Sequence, residues 1–420
     1  MIDTVQNYVP GEYPDQPPPV GQSGVMLWLR KNLFSSWINT LMTLVSVYLL
    51  YLIIPPLLNW AVLDAVINAA SRAECRAIDD GACWAFIANR INILTYGFYP
   101  DESQWRVNLS FVLMIVALVP VLFDNAPFRK LGLIFALAYP FIAAWLLIGD
   151  QAVNLIPSMI NFIVNLIPNI LNLLIKALFG VESLLPTLNI PNIFDEKEYA
   201  LLSWVGTDEF GGMMLNTVVG VTGITFSLPL GIALALGRQS HLPIVRTVSV
   251  CFIEFIRGVP LITLLFVAST MLNYFLPPGT TFDLLLRVLI MVTLFASGYI
   301  AEVVRGGLQS IPNGQYEAAN SMGLKYWQSM RLIVLPQALK VSIPGIVNTF
   351  IGLFKDTTLV LIIGLLDVLG IGRSSLADTK WNGLSNEVYI SIAIFFFIAC
   401  FGMSRYSIYL EGKLEKGHKR

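Results

Sequence analysis

Residues 212–236 read GMMLNTVVGVTGITFSLPLGIALAL, twenty-five positions without a charged side chain. As an α-helix, at about 1.5 Å per residue, this run is long enough to cross a hydrocarbon core of roughly 30 Å. Backbone groups find no water there, so the run must satisfy its own hydrogen bonds as a helix, and it lacks the apolar–polar alternation of a barrel strand. Working outward, blocks of the same character recur at 36–58, 107–123, 131–149, 247–275, 285–303, 341–365 and 388–410. The 420 residues are 56% hydrophobic and 13% charged, with a mean hydropathy of +0.70, whereas soluble domains are about one-quarter charged. The sequence predicts an all-α polytopic membrane protein with about eight transmembrane helices. A formal net charge of −1 gives no reason to expect a nucleic-acid partner, and membrane lipid is the expected surrounding.

Orientation follows from the basic residues. With the N-terminus inside, Arg30, Lys31, Arg129, Lys130, Arg238, Arg246, Lys325, Arg331, Lys340, Lys413, Lys416, Lys419 and Arg420 all fall on the cytoplasmic side, and both termini are cytoplasmic. Residues 1–30 are polar and proline-rich, without a basic stretch leading into an apolar core, and are expected to form a flexible cytoplasmic tail, not a cleaved signal. The apolar stretch Asn154–Gly180 would invert this pattern if it crossed the membrane. Asn154, Asn161, Asn165, Asn169 and Asn172 instead share one helical face, which suggests an amphipathic segment on the outer membrane face or against a partner, or equally one packed on its own chain. In the external loop 60–106, Cys75 and Cys83 would meet an oxidising compartment, where they either pair or remain two inert thiols. No metal-ligand spacing occurs. Composition divides the chain near 205: three spans with external segments 60–106 and 150–205 occupy 31–205, and five spans with short loops occupy 206–415.

Between the sixth and seventh spans, residues 309–337 form a cytoplasmic loop around IPNGQYEAANSMG, Ile311–Gly323. Good helix formers from Gln315 to Met322 end at Gly323, which can take the left-handed conformation that turns a chain, and a second short helix is expected from Tyr326 to Leu335 before Pro336. Periodicity alone would allow an ordinary amphipathic connector.

The motifs say more. Glu317, Ala318, Ala319 and Gly323, followed by Ile333, Leu335 and Pro336, resemble the EAA loop of permease subunits in binding-protein-dependent ABC importers. EFIRGVPLITLLF at Glu254–Phe266, YIAEVVRGGLQSIPNGQYEAA at Tyr299–Ala319, LPQALK at Leu335–Lys340 and KDTTL at Lys355–Leu359 resemble the polar amino-acid branch, over roughly residues 210–410. The extra N-terminal spans resemble the general L-amino-acid permeases of the Aap/Bzt type. The resemblance implies a five-helix MetI-like core, a bacterial inner-membrane location and uptake of L-amino acids. It also implies three partners: an ABC ATPase dimer gripping Glu317–Gly323, a homologous second permease, and a periplasmic amino-acid-binding protein. The chain contains no GxxxxGK[ST] phosphate loop, so the chain itself is expected to be non-catalytic, without a cofactor, and ATP with Mg is expected on the partner.

Charges inside spans are costly unless paired or facing a polar cavity. Lys355 and Asp356 are adjacent and diverge by about 100° on a helix, so they need other partners. Glu254 with Arg257, and Glu302 with Arg305, are three residues apart and are expected to pair locally. Together with Asn348, these residues are candidates for a substrate pathway that complements an ammonium and a carboxylate; interhelical ion pairs that fix packing are the alternative reading of each. Gly258 and Pro260 are expected to loosen the fifth span. A secondary transporter or channel remains the rival, and it gives the EAA loop no purpose.

Overall fold

The computed structural model describes residues 24–78, 80–123, 125–154, 201–271 and 283–416, with scattered positions between 155 and 200. Among them the secondary structure is helical, with isolated β-bridges only. The chain forms two compact units, residues 1–85 and 86–420.

The first unit holds α1 (Gly24–Asn32), α2 (Trp37–Leu58) and α3 (Arg72–Ile78). The Ser36 hydroxyl accepts the Asn39 N–H at 3.3 Å and caps α2. Pro55 and Pro56 remove two backbone donors near its end, and the helix passes directly into a π-turn at Asn59–Leu63. No residue of α2 is buried, as befits a helix that is apolar all round and meets lipid. Beyond it, Cys75 and Cys83 are joined by a disulfide with Cα atoms 5.9 Å apart, and the Trp60 and Trp84 rings meet edge to face at 6.2 Å.

The second unit runs through α4 (Ala85–Tyr96), α5 (Gln104–Leu122), α6 (Arg129–Ile148), α7 (Gly212–Arg238), α8 (Pro243–Gly258), α9 (Leu261–Phe266), α10 (Leu284–Gln309), α11 (Asn313–Ser321), α12 (Tyr326–Ser329), α13 (Leu335–Asp356), α14 (Val368–Ser375) and α15 (Ser385–Lys416). Among the described residues seven helices have the length and composition to cross a membrane, or eight if the pair Pro243–Gly258 and Leu261–Met271, bent by 102°, is one span. These coincide with the eight apolar blocks. The bend has a local cause. Val259 and Pro260 are extended, with ψ of 132° and 142°, and proline has no N–H to continue the helix.

Two apolar clusters hold the bundle. One joins Val107, Leu147, Met214, Leu265, Val288 and Leu353; the other joins Ala235, Ile253, Ile300, Val304, Val334 and Ala338. The first draws on both sides of residue 205: the Tyr99 ring lies 5.8 Å from that of Phe210, and Val107 and Leu147 share the cluster with Met214 and Val288. Helices α5 and α6 therefore pack with the later helices, and the compact units part at Ala85 instead. At the same end α4 sits on the loop after α14, through the Arg90–Asp378 ion pair and an edge contact of Phe86 with Trp381 at 5.6 Å. Along α7, Gly220, Gly223, Ser227, Gly231 and Ala235 form a buried stripe of small residues. A Cβ on Gly231 would lie 2.6 Å from the Ile300 side chain, so the stripe lets α10 approach closely, a common device between membrane helices.

Residues 1–23 of the expected tail, and Asn165 and Asn169 of the asparagine stripe, lie outside the described residues. Asn161 is described, and its side chain exchanges two hydrogen bonds with the Ile190 backbone, at 2.9 and 2.8 Å.

Candidate functional site

The loop that follows α10 builds the helix–turn–helix its composition predicts. Helix α11 ends in a turn where Gly323 has φ +73°, the Gly323 N–H reaches Asn320 O at 2.9 Å and the Leu324 N–H reaches Ala319 O at 3.2 Å, a Schellman-type closure. Ala319 is fully buried and anchors α11 on the bundle, while Glu317, Ala318 and Gly323 are exposed. Beside them stand Met322, 75% exposed, and Trp327, 68% exposed. Two large apolar side chains held outward by a rigid turn offer a surface for another protein. The Gln337 side chain donates to Gln315 Oε1 at 3.1 Å and ties α11 to α13.

Glu302 of α10 is the hub of a charge cluster. It pairs with Arg305 one turn along, with Arg238 of α7 at 3.3 Å and with Arg257 of α8 at 3.5 Å. The Glu302–Arg305 pair is the local one that spacing predicts. Glu254 and Arg257 do not pair with each other: Glu254 meets Arg238 at 2.9 Å, and Arg257 turns to Glu302 and lies 5.9 Å from the centre of the Tyr299 ring. The reason is packing. Helices α7 and α10 both bring charges to α8, and these complete the bonds that an exposed i,i+3 pair would leave to water. Arg238 is the member that sequence reasoning missed, because a basic residue at the end of an apolar span reads as a topology marker. The cluster holds three arginines and two glutamates and so carries one excess positive charge.

Lys355 and Asp356 stand apart from it, at the C-terminal end of α13. Among the described residues neither makes an ion pair, and no hydrogen bond joins them to the Glu302 cluster. Lys355 is exposed and Asp356 half-buried. Asn348 and Lys355 lie seven residues apart on one exposed stripe of α13, with Gly352 between them open on its side-chain face. The negative end of the helix dipole favours a cation at Lys355.

Directly after this pair the helix tightens to a 3₁₀ turn, Thr357–Ile363. The buried Asn216 side chain of α7 donates to Thr357 Oγ1 at 2.9 Å and to Asp367 at 3.2 Å, and accepts the Val368 N–H at 2.9 Å. Asp367 caps α14 by accepting the Gly370 N–H at 2.8 Å. Burial pushes its carboxyl above the usual carboxylate range, against the hydrogen bonds from Gly370 and Asn216. These polar residues are fully buried, and nothing in the sequence singled out Asn216 or Asp367; lone polar residues in apolar context carry no pattern.

A transporter subunit is the class these features define: membrane-length helices carrying charge, one broken span, and a helix–turn–helix projecting from the bundle. Residues 227–415 match the family described as binding-protein-dependent transport system inner membrane component, and the chain belongs to that family. It is 48% identical, over 96% of its length and 97% of the relative's, to the glutamate/glutamine/aspartate/asparagine transport system permease protein BztC of Rhodobacter capsulatus. It is 43% identical, over the same shares, to the inner membrane amino-acid ABC transporter permease protein YhdY of Escherichia coli. Among solved structures it is similar to an amino acid ABC transporter crystallised with histidines, at 28% identity and a TM-score of 0.43, over 48% of this chain and 92% of the other.

Proposed function

We propose that the chain is one of two permease subunits of an ABC importer that takes up L-amino acids, acidic and amidic ones among them. The observation that carries this reading is α11 and its turn: Glu317, Met322 and Trp327 project outward while Ala319 locks the helix to the bundle. The substrate class rests on the names of the two relatives, which are 48% and 43% identical over nearly the whole chain.

A separate ATPase dimer binds ATP with Mg and grips α11, on the cytoplasmic side with both chain termini; a binding protein delivers substrate at the opposite end. Movement of α11 reaches the spans because Tyr316 and Ile311 pack in the same cluster as Ala235, Ile253, Val304 and Ala338 of α7, α8, α10 and α13. The Glu302 cluster ties the ends of α7, α8 and α10, so they move together, a rigid-body mode of switching. The exposed stripe of Asn348 and Lys355, with Asp356 beside it, lines a pathway shared with the second, homologous permease. A polar stripe on a membrane helix needs such a cover. In that pathway Lys355 faces the α-carboxylate and Asp356 the ammonium of the cargo.

Uptake of labelled glutamate and glutamine in cells depleted of ATP, with the proton gradient clamped, tests this reading. Loss of uptake supports it; uptake that persists with the gradient alone would identify a secondary transporter.

A further inference from the structure

A cavity of about 830 Å³ lies between α5 and α6 on one side and α7 and α10 on the other. It is elongated along the helices. Its walls run from Met214 to Phe226 on α7 and from Leu285 to Leu294 on α10, which at about 1.5 Å per residue is a depth of roughly 14–18 Å, close to half of a 30 Å hydrocarbon core. The cavity is thus as deep as one leaflet of the bilayer.

Its chemistry is graded from end to end. Asp283, Thr207, Gln151 and Asn154 gather at the end away from α11, with the indoles of Trp145 and Trp204, the amphipathic rings that favour a membrane–water boundary. Deeper, aliphatic and aromatic groups dominate. Several polar groups there are spent inside the protein: the Tyr139 hydroxyl donates to Ser110 O at 3.1 Å, and that of Thr217 to Met213 O at 2.8 Å. Among the described lining residues there is no Lys, Arg or His, and Asp283 is the sole carboxylate. A free amino acid seated in it would bury its carboxylate with no cation among the described lining residues, whereas a lipid phosphate stays at the polar end, where Asp283 is exposed to water. The cavity also excludes none of the pathway candidates from their own place, since Lys355, Asp356, Arg257 and Glu302 are not in its lining.

We propose that this cavity is a phospholipid site, with one acyl chain in the apolar groove and the ammonium group of a phosphatidylethanolamine at Asp283. Charge complementarity selects the headgroup. Asp283 accepts the Leu286 N–H at 2.8 Å and the Thr207 hydroxyl, and a carboxylate with about four lone-pair sites has room for a further donor. An anionic headgroup without an amine brings no cation to Asp283, and its hydroxyls offer only uncharged donors. The lipid completes the wall between α6 and the core helices that the described side chains leave open.

Native mass spectrometry of the delipidated protein in detergent, titrated with palmitoyl-oleoyl phosphatidylethanolamine or phosphatidylglycerol, tests the site. The wild type is expected to retain one phosphatidylethanolamine, up to about fivefold more tightly than phosphatidylglycerol, the range of a single exposed ion pair. Ala144→Trp and Val221→Trp, which fill the groove, should each abolish that retention. Asp283→Asn, which keeps the helix cap, should make the two lipids equal. A photo-crosslinking benzoyl-phenylalanine in place of Leu289 should yield a phospholipid adduct without depending on the filling variants. Absence of saturable lipid and of adduct, as when another part of the protein fills the groove, overturns the site; retention unchanged in both tryptophan variants does so too. Preference for phosphatidylglycerol overturns the assignment of the headgroup.

Discussion

Gly323 shows how much one residue's conformation can carry. With φ +73° and open space where a Cβ would stand, its substitution meets no clash, so the cost is backbone strain alone. A β-branched side chain in the left-handed region costs about 1–2 kcal/mol, whereas asparagine visits that region readily. Gly323→Val is therefore expected to lower amino-acid uptake about tenfold while ATP hydrolysis continues, because the turn that aims α11 relaxes. Gly323→Asn should retain most uptake. Parallel transport and ATPase assays in reconstituted vesicles would decide, and equal uptake in both variants would remove the turn from the coupling route. This glycine was readable from sequence since a left-handed turn has local chemistry. The partners of Glu254 and Arg257 were not: spacing offers each an i,i+3 neighbour, yet Arg238 and Glu302 from other helices displace that pairing.

At the scale of helices, the contact of α10 with α13 makes a sharp contrast between two adjacent glycines. A Cβ at Gly307 would lie 2.6 Å from the Ala338 carbonyl oxygen and 2.1 Å from Ser342 Oγ, while one at Gly306 meets nothing within 4 Å. Gly307→Ala is expected to push the helices apart at a cost of about 1–3 kcal/mol. Gly306→Ala should be neutral or stabilising by up to about 1 kcal/mol, since alanine is the better helix former. Thermal unfolding midpoints in detergent distinguish them; equal midpoints would mean that the helices do not pack as closely as described. The motif AEVVRGG reveals two glycines and cannot say which one faces α13, because that depends on the rotation of α10 about its axis. A loosening between α8 and α9, by contrast, was legible in Gly258 and Pro260, whose effect on the backbone needs no neighbour, although not the full 102° bend.

For the whole molecule, the exposed Lys355 and half-buried Asp356 separate two roles of the membrane charges. Among the described residues the Glu302 cluster is paired within the subunit, whereas Lys355 and Asp356 make no ion pair. Lys355→Met and Asp356→Asn are each expected to cut uptake by about tenfold or more, as loss of a charge-assisted contact of roughly 1.5–3 kcal/mol implies, with assembly of the complex unchanged. Wild-type uptake in both variants would take the pair out of the pathway. Eight apolar blocks, a weak point in the fifth span at Gly258 and Pro260 and the helix–turn–helix were determined by sequence alone, since span length, proline and left-handed turns act through a residue and its immediate neighbours; the 102° bend itself came from the structure. Only the tertiary structure decided that α5 and α6 share a core with α7, that Asn216 reaches Thr357 and Asp367, and that Arg238 joins the Glu302 cluster. Those choices depend on which helix faces meet across long stretches of chain, and a face with several apolar neighbours available does not name its partner until the bundle is packed.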